Sequence, residues 1–343
     1  MHCQTKSTHD LMDNLTHSLT GWALGQAGLK TKSRKGLAAL ILGANMPDLD
    51  VFFGHSCWIP LATHRGVTHS LLGGMIWLPP VLAGLLWLLD RWQVHRGAEF
   101  KSGLPMHFGW LVALCYIGAI THPLLDLQTT YAVQLLSPFS TNWFHTESLF
   151  IIDLWVWIAL GLAIWLSRRR EKADGDWIKP ARAGLALVVG YIGVNLVLSA
   201  QAERQVVRAV PNLQPDAMFA GLEPLQFWKR EVVWRQDGMI GRANWSPFAG
   251  VSDLSSPLPD NMRDPVVRAA AFSTDELRTF MRWSVMPVAR VERVKCALRI
   301  TFNDGRFGTG RIMGREVRNP FNHVVMVPQN GAGCEPRADA AAG

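Results

Sequence analysis

The chain has 343 residues, 15 of them tryptophan, and 34 Lys and Arg against 27 Asp and Glu for a net charge of +7. That length favours two structural units over one compact domain, and the five cysteines (Cys3, Cys57, Cys115, Cys296 and Cys334) offer no CxxC spacing, which argues against a thiolate zinc site. The cations fall in a few connections between apolar runs, so the positive balance argues for no nucleic-acid partner.

Residues 1–11 are polar and patternless and are read as a disordered extension, with Met12 the expected true beginning. Asp13 or Asn14 is placed to cap a helix by accepting its free backbone N–H groups, which puts His17 in the first turn. Leu15–Leu29 and Gly36–Met46 are apolar but short for spanning, and are expected to form a hairpin entering the membrane partway. Neither resembles a cleavable signal peptide. Pro47 ends the second segment, leaving Asp48 and Asp50 just past a helix end. Gly54–Thr63 is loop-like, and Gly66 allows a tight turn between His64 and His69.

Four longer runs follow: Ser70–Leu89, where Pro79-Pro80 is expected to kink a helix; Phe108–Leu127, interrupted by His122 and Asp126; Leu149–Leu166, with only Asp153; and Ala183–Ala200, with only Asn195. Each approaches the ~20 residues a helix needs to cross about 30 Å of hydrocarbon. Lys30, Lys32, Arg34 and Lys35 fill one connection. Arg91, Arg96 and Lys101 fill a second, and Arg168, Arg169, Arg170, Lys172, Lys179 and Arg182 a third; residues 47–69 and 129–148 hold only Arg65. This alternation follows the positive-inside rule. It places the basic loops in the cytoplasm, sends Ala183–Ala200 outward, and puts His17, Asp48, Asp50, His64, His69, His122, Asp126 and Asp153 near the outer face.

Beyond residue 200 the composition becomes that of a soluble domain. Gln226–Gln236, Val291–Phe302 and His323–Val327 alternate apolar and polar residues or are β-branched, which favours strands. Asn303-Asp304-Gly305 is read as a turn joining Val291–Phe302 to Arg306–Met313. Thr274–Trp283 is read as one helix capped by Ser273 or Thr274, with Glu276 nearby. The expected fold is an all-α polytopic membrane domain over residues 12–200. A smaller β-rich (α+β) soluble domain follows over 201–343, extracytoplasmic and ending in a disordered tail. An oxidising compartment would allow a Cys296–Cys334 disulfide.

Charged groups at membrane depth are costly and usually mark a site. His17, Asp48, Asp50, His64, His69, His122 and Asp126 are metal-ligand types gathered in or beside the apolar runs. His122 and Asp126 are four apart and share a helix face, although Pro123 disfavours helix at His122 and would let the pair straddle a kink. The bland readings are turn carboxylates for Asp48 and Asp50, interfacial imidazoles for His64 and His69, and a lipid anchor for Arg65. Asp153 is either a partner orienting an imidazole or a helix-end residue, and His145 and Glu147 are reserve ligands. His55, His95, His107 and His323 are read as structural or exposed. There is no HExxH, GxSxG or phosphate-binding Gly-rich loop, and Ser70 beside His69 is not a triad by adjacency.

The stretches Met12-Asp13-Asn14-Leu15-Thr16-His17-Ser18-Leu19-Thr20-Gly21, Asn45-Met46-Pro47-Asp48-Leu49-Asp50, His64-Arg65-Gly66-Val67-Thr68-His69-Ser70 and His122-Pro123-Leu124-Leu125-Asp126 closely resemble the YdjM-like family of inner-membrane metal-dependent hydrolases. Pro138-Phe139-Ser140, Trp143-Phe144 and Phe150-Ile151-Ile152-Asp153 look like it too, so the resemblance covers about residues 12–200. It implies a distant similarity to zinc-dependent phospholipase C and S1/P1 nuclease, whose His and Asp ligands hold zinc ions. This chain departs from that group in having Met12 where the group has a free N-terminal tryptophan ligand.

The expected function is a membrane-bound, multi-pass hydrolase of the bacterial inner membrane, acting on a phosphate ester of a lipid or lipid-linked substrate. The seven His and Asp residues would hold Zn²⁺ first, Mn²⁺ or Fe²⁺ next. Asp50 or Asp126 would act as general base, and Arg65 would hold the phosphate. The alternatives are a transporter or metal-stabilised scaffold, and a protein whose C-terminal domain does the recognition while the membrane part anchors it.

Overall fold

The computed structural model describes residues 14–52, 65–307, 311–312, 315–316 and 322–329. A helical N-terminal region is followed by a β-rich C-terminal region. The chain divides into two compact units, one of Met1–Gln201 with Gly221–Arg230, the other of Ala202–Ala220 with Glu231–Gly343. The N-terminal extension, His55, His64 and the C-terminal tail lie outside the described residues. So does Cys334, and with it the expected disulfide.

In the first unit, α1 (Asn14–Gln26) and α2 (Gly36–Asn45) occupy the two short apolar segments. Asn14 is the first helical residue, and Asp13 lies outside the described residues. The four long runs become α3 (Gly74–His95), α4 (Phe108–Asp126), α5 (Leu154–Lys172) and α6 (Ile178–Ala209). Among the described residues, α4 and α6 are the two helices long and apolar enough to cross a membrane. Pro79 and Pro80 sit inside α3, and Pro123 inside α4, so His122 and Asp126 share one continuous helix.

Close approach between helices is set by missing side chains. A Cβ on Gly118 would stand 2.5 Å from the Leu40 carbonyl oxygen, one on Gly43 2.8 Å from that of Cys115, and one on Gly21 2.6 Å from that of Leu40. Small residues let helix backbones approach closely, and these three pin α1, α2 and α4 together. Leu40, Leu82, Leu111 and Leu114 fill the core on the α2–α3–α4 side. Ala23, Leu160, Ile164 and Val188 join α1, α5 and α6.

The three basic connections meet at one end of this unit. Arg34 grips the fully buried Asp90 of α3 through Nε and Nη2, both at 2.7 Å, Lys30 pairs with Glu171, and Arg182 donates to the Ala27 carbonyl. The other end of α4 carries His122 and Asp126, and His17, in the first turn of α1, lies beside them. The charge alternation seen in sequence is thus a physical division of the helical unit into a basic end and an acid-imidazole end. Arg230 is also buried here, donating to Ser199 Oγ, to both oxygens of Asn195, and to the Phe227 and Lys229 carbonyls. Asn195 and Ser199, polar residues of the same apolar run, thereby satisfy that guanidinium.

In the β-rich region, β1 (Ala217–Glu223), β2 (Gln226–Gln236), β3 (Met239–Ser246) and β4 (Gly250–Ser252) lie in that order in one sheet, with β5 (Leu258–Pro259) also paired to β3. Two helices follow, α7 (Pro265–Ala271) and α8 (Asp275–Trp283), the latter capped by Thr274, whose Oγ1 accepts from the Leu277 amide at 3.2 Å. A three-stranded antiparallel sheet has the order β10 (His323–Pro328), β7 (Ala297–Asp304), β6 (Pro287–Val294). The short strands β8 (Arg311–Ile312) and β9 (Arg315–Glu316) pair with each other. Phe219, Val233, Ile240 and Met286 form the core.

The hairpin expected at Asn303-Asp304-Gly305 is corrected. The predicted strand Val291–Phe302 is instead broken at Lys295-Cys296, with Val294 opposite Ala297 and Lys295 at φ 46°. Asp304 ends β7 and is buried, accepting from Arg306 Nε at 2.9 Å, Arg306 Nη2 at 3.0 Å, Ser284 Oγ at 2.6 Å and the Val285 amide at 3.0 Å. Asp304 Oδ1 also accepts from the Arg306 amide at 2.9 Å, so the residue turns the chain into the 3₁₀ segment Gly305–Phe307, but not into a hairpin with Arg306–Met313. Burial raises its pKa, but the Arg306 charge and the hydrogen bonds from Arg306 and Ser284 together outweigh that and hold it below the ordinary value of 3.8. A depressed carboxylate contributes stability that is full above its unfolded pKa and is lost as pH falls through the folded one. Circular dichroism melts of the full chain and Asp304→Asn should therefore differ clearly at pH 7, and the difference should shrink below about pH 4. A gap that stays constant with pH would refute the assignment.

Candidate metal centre

Four chain segments converge at the acid-imidazole end. α1 brings His17 and the last turn of α4 brings His122 and Asp126. The 3₁₀ turn Met46–Phe52, which follows α2, brings Asp48 and Asp50, and the turn Val67–His69 brings His69. His17, Asp48, His69, His122 and Asp126 are all buried.

Asp48 Oδ1 lies 3.2 Å from both His69 Nε2 and His122 Nε2. Asp126 Oδ2 lies 3.6 Å from His69 Nε2 and 3.5 Å from His122 Nε2, and its other oxygen is 3.8 Å from His17 Nε2. The rings of His17 and His122 stack with centroids 3.7 Å apart. Two overlapping groups result, His17–Asp48–His122 and His69–His122–Asp126, and in each the donor atoms lie within 4.8 Å of one another. His122 belongs to both.

The tautomer of His122 follows from its other nitrogen. Nδ1 stands 2.6 Å from the Ala44 carbonyl oxygen, which can only accept, so Nδ1 donates and the Nε2 lone pair faces the cluster. His17 Nδ1, His122 Nε2 and Asp126 Oδ2 are buried yet find no hydrogen-bond partner among the described residues. Orphaned buried atoms of this kind are costly, and a cation among them would satisfy them. The donors are imidazole nitrogens and carboxylate oxygens, the set that suits Zn²⁺ and, less well, Mn²⁺ or Fe²⁺. The residues fit a divalent ion.

Asp50 stands behind this cluster, outside both groups. Its Oδ2 is 3.6 Å from His69 Nδ1 and accepts a hydrogen bond from the Thr68 hydroxyl, which also lies 3.0 Å from His69 Nδ1. That arrangement orients the His69 ring, as partners behind a ligating imidazole commonly do. Thr68 went unremarked in the sequence, although it sits between Val67 and His69 in a motif that was singled out.

Arg65 is buried. Its Nη2 lies 3.2 Å from Asp126 Oδ1, while Nη1 donates to Thr129 Oγ1 at 2.9 Å and the Ala132 carbonyl at 3.3 Å. It tethers the segment after α4 to the cluster, and the Arg65 carbonyl accepts from the Gln134 amide at 2.9 Å. Thr129 also has no counterpart in the sequence reading, since no spacing ties it to Arg65.

Asp153 resolves to the helix-end role. As N-cap of α5 it accepts from the Trp155 and Val156 amides at 3.1 and 3.2 Å, and from Tyr191 Oη at 3.2 Å. It nevertheless lines, with Thr16, His17, Arg65 and Asp126, a small cavity of about 20 Å³ at the edge of the cluster, room for roughly one water. His145 and Glu147 pair with each other. His95 is exposed, His107 precedes α4, and His323 is buried against Phe280.

The sequence model of the YdjM inner membrane protein family matches residues 12–202. A relative in Bacillus subtilis (strain 168), the uncharacterized protein YfhP, is 23% identical over 312 residues, covering 86% of this chain and 87% of that one. Its likeness therefore runs beyond the family match into the β-rich region. No solved structure matches. The family match spans more than half of the chain and includes every segment that builds the cluster, and the protein belongs to the YdjM inner membrane protein family.

Proposed function

We propose that the protein is a membrane-bound, metal-dependent hydrolase that cleaves a phosphate ester of a lipid or lipid-linked substrate at the outer face of the inner membrane. The observation that carries this reading is a buried cluster of three imidazoles and two carboxylates, drawn from separate segments, in which His122 Nε2 and Asp126 Oδ2, both without a hydrogen-bond partner among the described residues, lie 3.5 Å apart. His17, Asp48, His69, His122 and Asp126 would hold the ion or ions. When bound, a divalent cation there supplies Lewis-acid polarisation of a phosphoryl oxygen and acidifies an attacking water.

The chain's own side chains do the rest. Asp50, with Thr68, fixes the ring of His69. Arg65 holds Asp126 in place and contributes positive charge at the cavity edge. The membrane setting is multi-pass, with α3 and α5 joining α4 and α6: Ile76, Leu85, Leu162, Leu187 and Val189 all present more than half their surface outward, which suits lipid and not water. With the basic end cytoplasmic, the cluster and the C-terminal region fall on the outer side.

The test uses the full chain purified in detergent. Elemental analysis should give a fixed metal stoichiometry, with phosphate-ester hydrolysis lost on chelation and restored by Zn²⁺. Asp50→Asn should fold and weaken metal affinity by about 10–100-fold, the usual effect of removing a partner behind a ligand. Failure to retain Zn²⁺ at saturation would sink the reading. Solute flux through sealed vesicles without hydrolysis would replace it by transport.

A further inference from the structure

Starting two residues past His17 on α1 and running along α5 toward the basic end lies a groove of about 580 Å³. Leu19 and Trp22 of α1 form one wall, and Gly161, Ile164 and Trp165 of α5 the other. Arg168, Arg169 and Lys172 close one end. The α5 residues fall at positions 161, 164, 165, 168, 169 and 172, the three-and-four spacing of a single helix face, so one stripe runs from apolar to cationic.

We propose that this groove holds an anionic phospholipid, its acyl chain against the Trp22–Ile164–Trp165 walls and its phosphate on Arg168, Arg169 and Lys172. Three like charges packed on one helix face repel, and among the described residues none of them has a carboxylate ion pair; the nearby Glu171 and Asp176 are engaged by Lys30 and Lys179. Arg168 lies over the Trp22 ring at 5.3 Å and Arg169 over the Trp165 ring at 5.6 Å, which holds both guanidinium groups at the groove and leaves their N–H edges to an anion. Tryptophans beside arginines at the end of an apolar helix are the usual furniture of a headgroup boundary. The floor is open: a Cβ on Gly161 would meet nothing within 4 Å.

This inference rests on α1 and α5 lying in the bilayer, and carbonate extraction of membranes checks that separately. The deciding experiment is native mass spectrometry of the delipidated full chain with phosphatidylglycerol or phosphatidylcholine of equal chain length. Phosphatidylglycerol should be retained preferentially, and Arg168→Gln, Arg169→Gln and Lys172→Gln should each weaken it about fivefold, the effect of one cation near an anionic lipid surface. Gly161→Leu fills open space without a clash, so it should fold and expel the lipid, while Gly161→Ala should keep it. Equal retention of both lipids, unchanged binding in the glutamine and leucine variants, displacement by millimolar inorganic phosphate, or a second copy of the chain in the groove would each overturn the proposal.

Discussion

His122→Ala should abolish metal binding altogether, whereas His17→Ala and His69→Ala should each leave part of it. The difference follows from sharing: His122 Nε2 is a donor in both groups, while His17 and His69 each serve one. The Ala44 carbonyl fixes His122 in the tautomer whose Nε2 lone pair faces the cluster. Zn²⁺ titration by calorimetry, with elemental analysis of the product, checks the pattern. Because the one Nε2 lone pair serves one ion at a time, the groups are told apart by affinity, and three variants with the same residual affinity would show that they are not separate. Removing one partner from a buried charged set also leaves the others uncompensated, at a cost of about 3–5 kcal/mol. His122→Gln, of closer volume, should therefore accompany the alanine variant, with thermal unfolding recorded for both.

Gly118→Ala should disrupt the same site without touching a ligand. Its Cβ would sit 2.5 Å from the Leu40 carbonyl oxygen and 3.1 Å from Leu40 Cα, backbone that cannot rotate aside. Overpacking of this kind costs about 1–3 kcal/mol, and α2 must move off α4 to relieve it. Gly118 is one helical turn before His122, and α2 leads directly into the turn that carries Asp48. The displacement thus opens the 3.2 Å approach of Asp48 to His122. The expected result is a lower melting temperature together with weakened Zn²⁺ binding. Gly109→Ala, on the same helix with nothing within 4 Å of its Cβ, should change neither. If Gly118→Ala lowers stability but binds Zn²⁺ normally, helix spacing does not set the site.

The outcome in the C-terminal region shows where local pattern stops being informative. Gln226–Gln236 and His323–Val327 announce strands through alternation, and both are strands. Val291–Phe302 carries the same alternation through Lys295-Cys296, where the chain reverses, because a two-residue loop need not interrupt a period of two. Asn303-Asp304-Gly305 does bend the chain, into the 3₁₀ segment Gly305–Phe307, but Asp304 is also committed to Ser284, twenty residues earlier, which no local pattern reveals.

In the helical region each apolar run falls on one helix, but the ends differ by up to nine residues, as where α6 runs past Ala200 to Ala209, because the polar turns that finish a helix carry no apolar signal. The charge alternation likewise separates a basic end from an acid-imidazole end, since cations concentrate in the connections on one side. That His17, Asp48, His69, His122 and Asp126 lie near one another was therefore legible in the sequence, whereas the parts of Thr68 and Thr129 were not. Nor was the division of labour: Asp48 and Asp50, two residues apart, differ in that one faces His122 and the other stands behind His69; Arg65 is held against Asp126; Asp153 caps α5. These roles depend on distances between segments far apart in the chain. Such distances are set by backbone contacts at Gly21, Gly43 and Gly118, which have no periodic signature and exist only once the helices have packed.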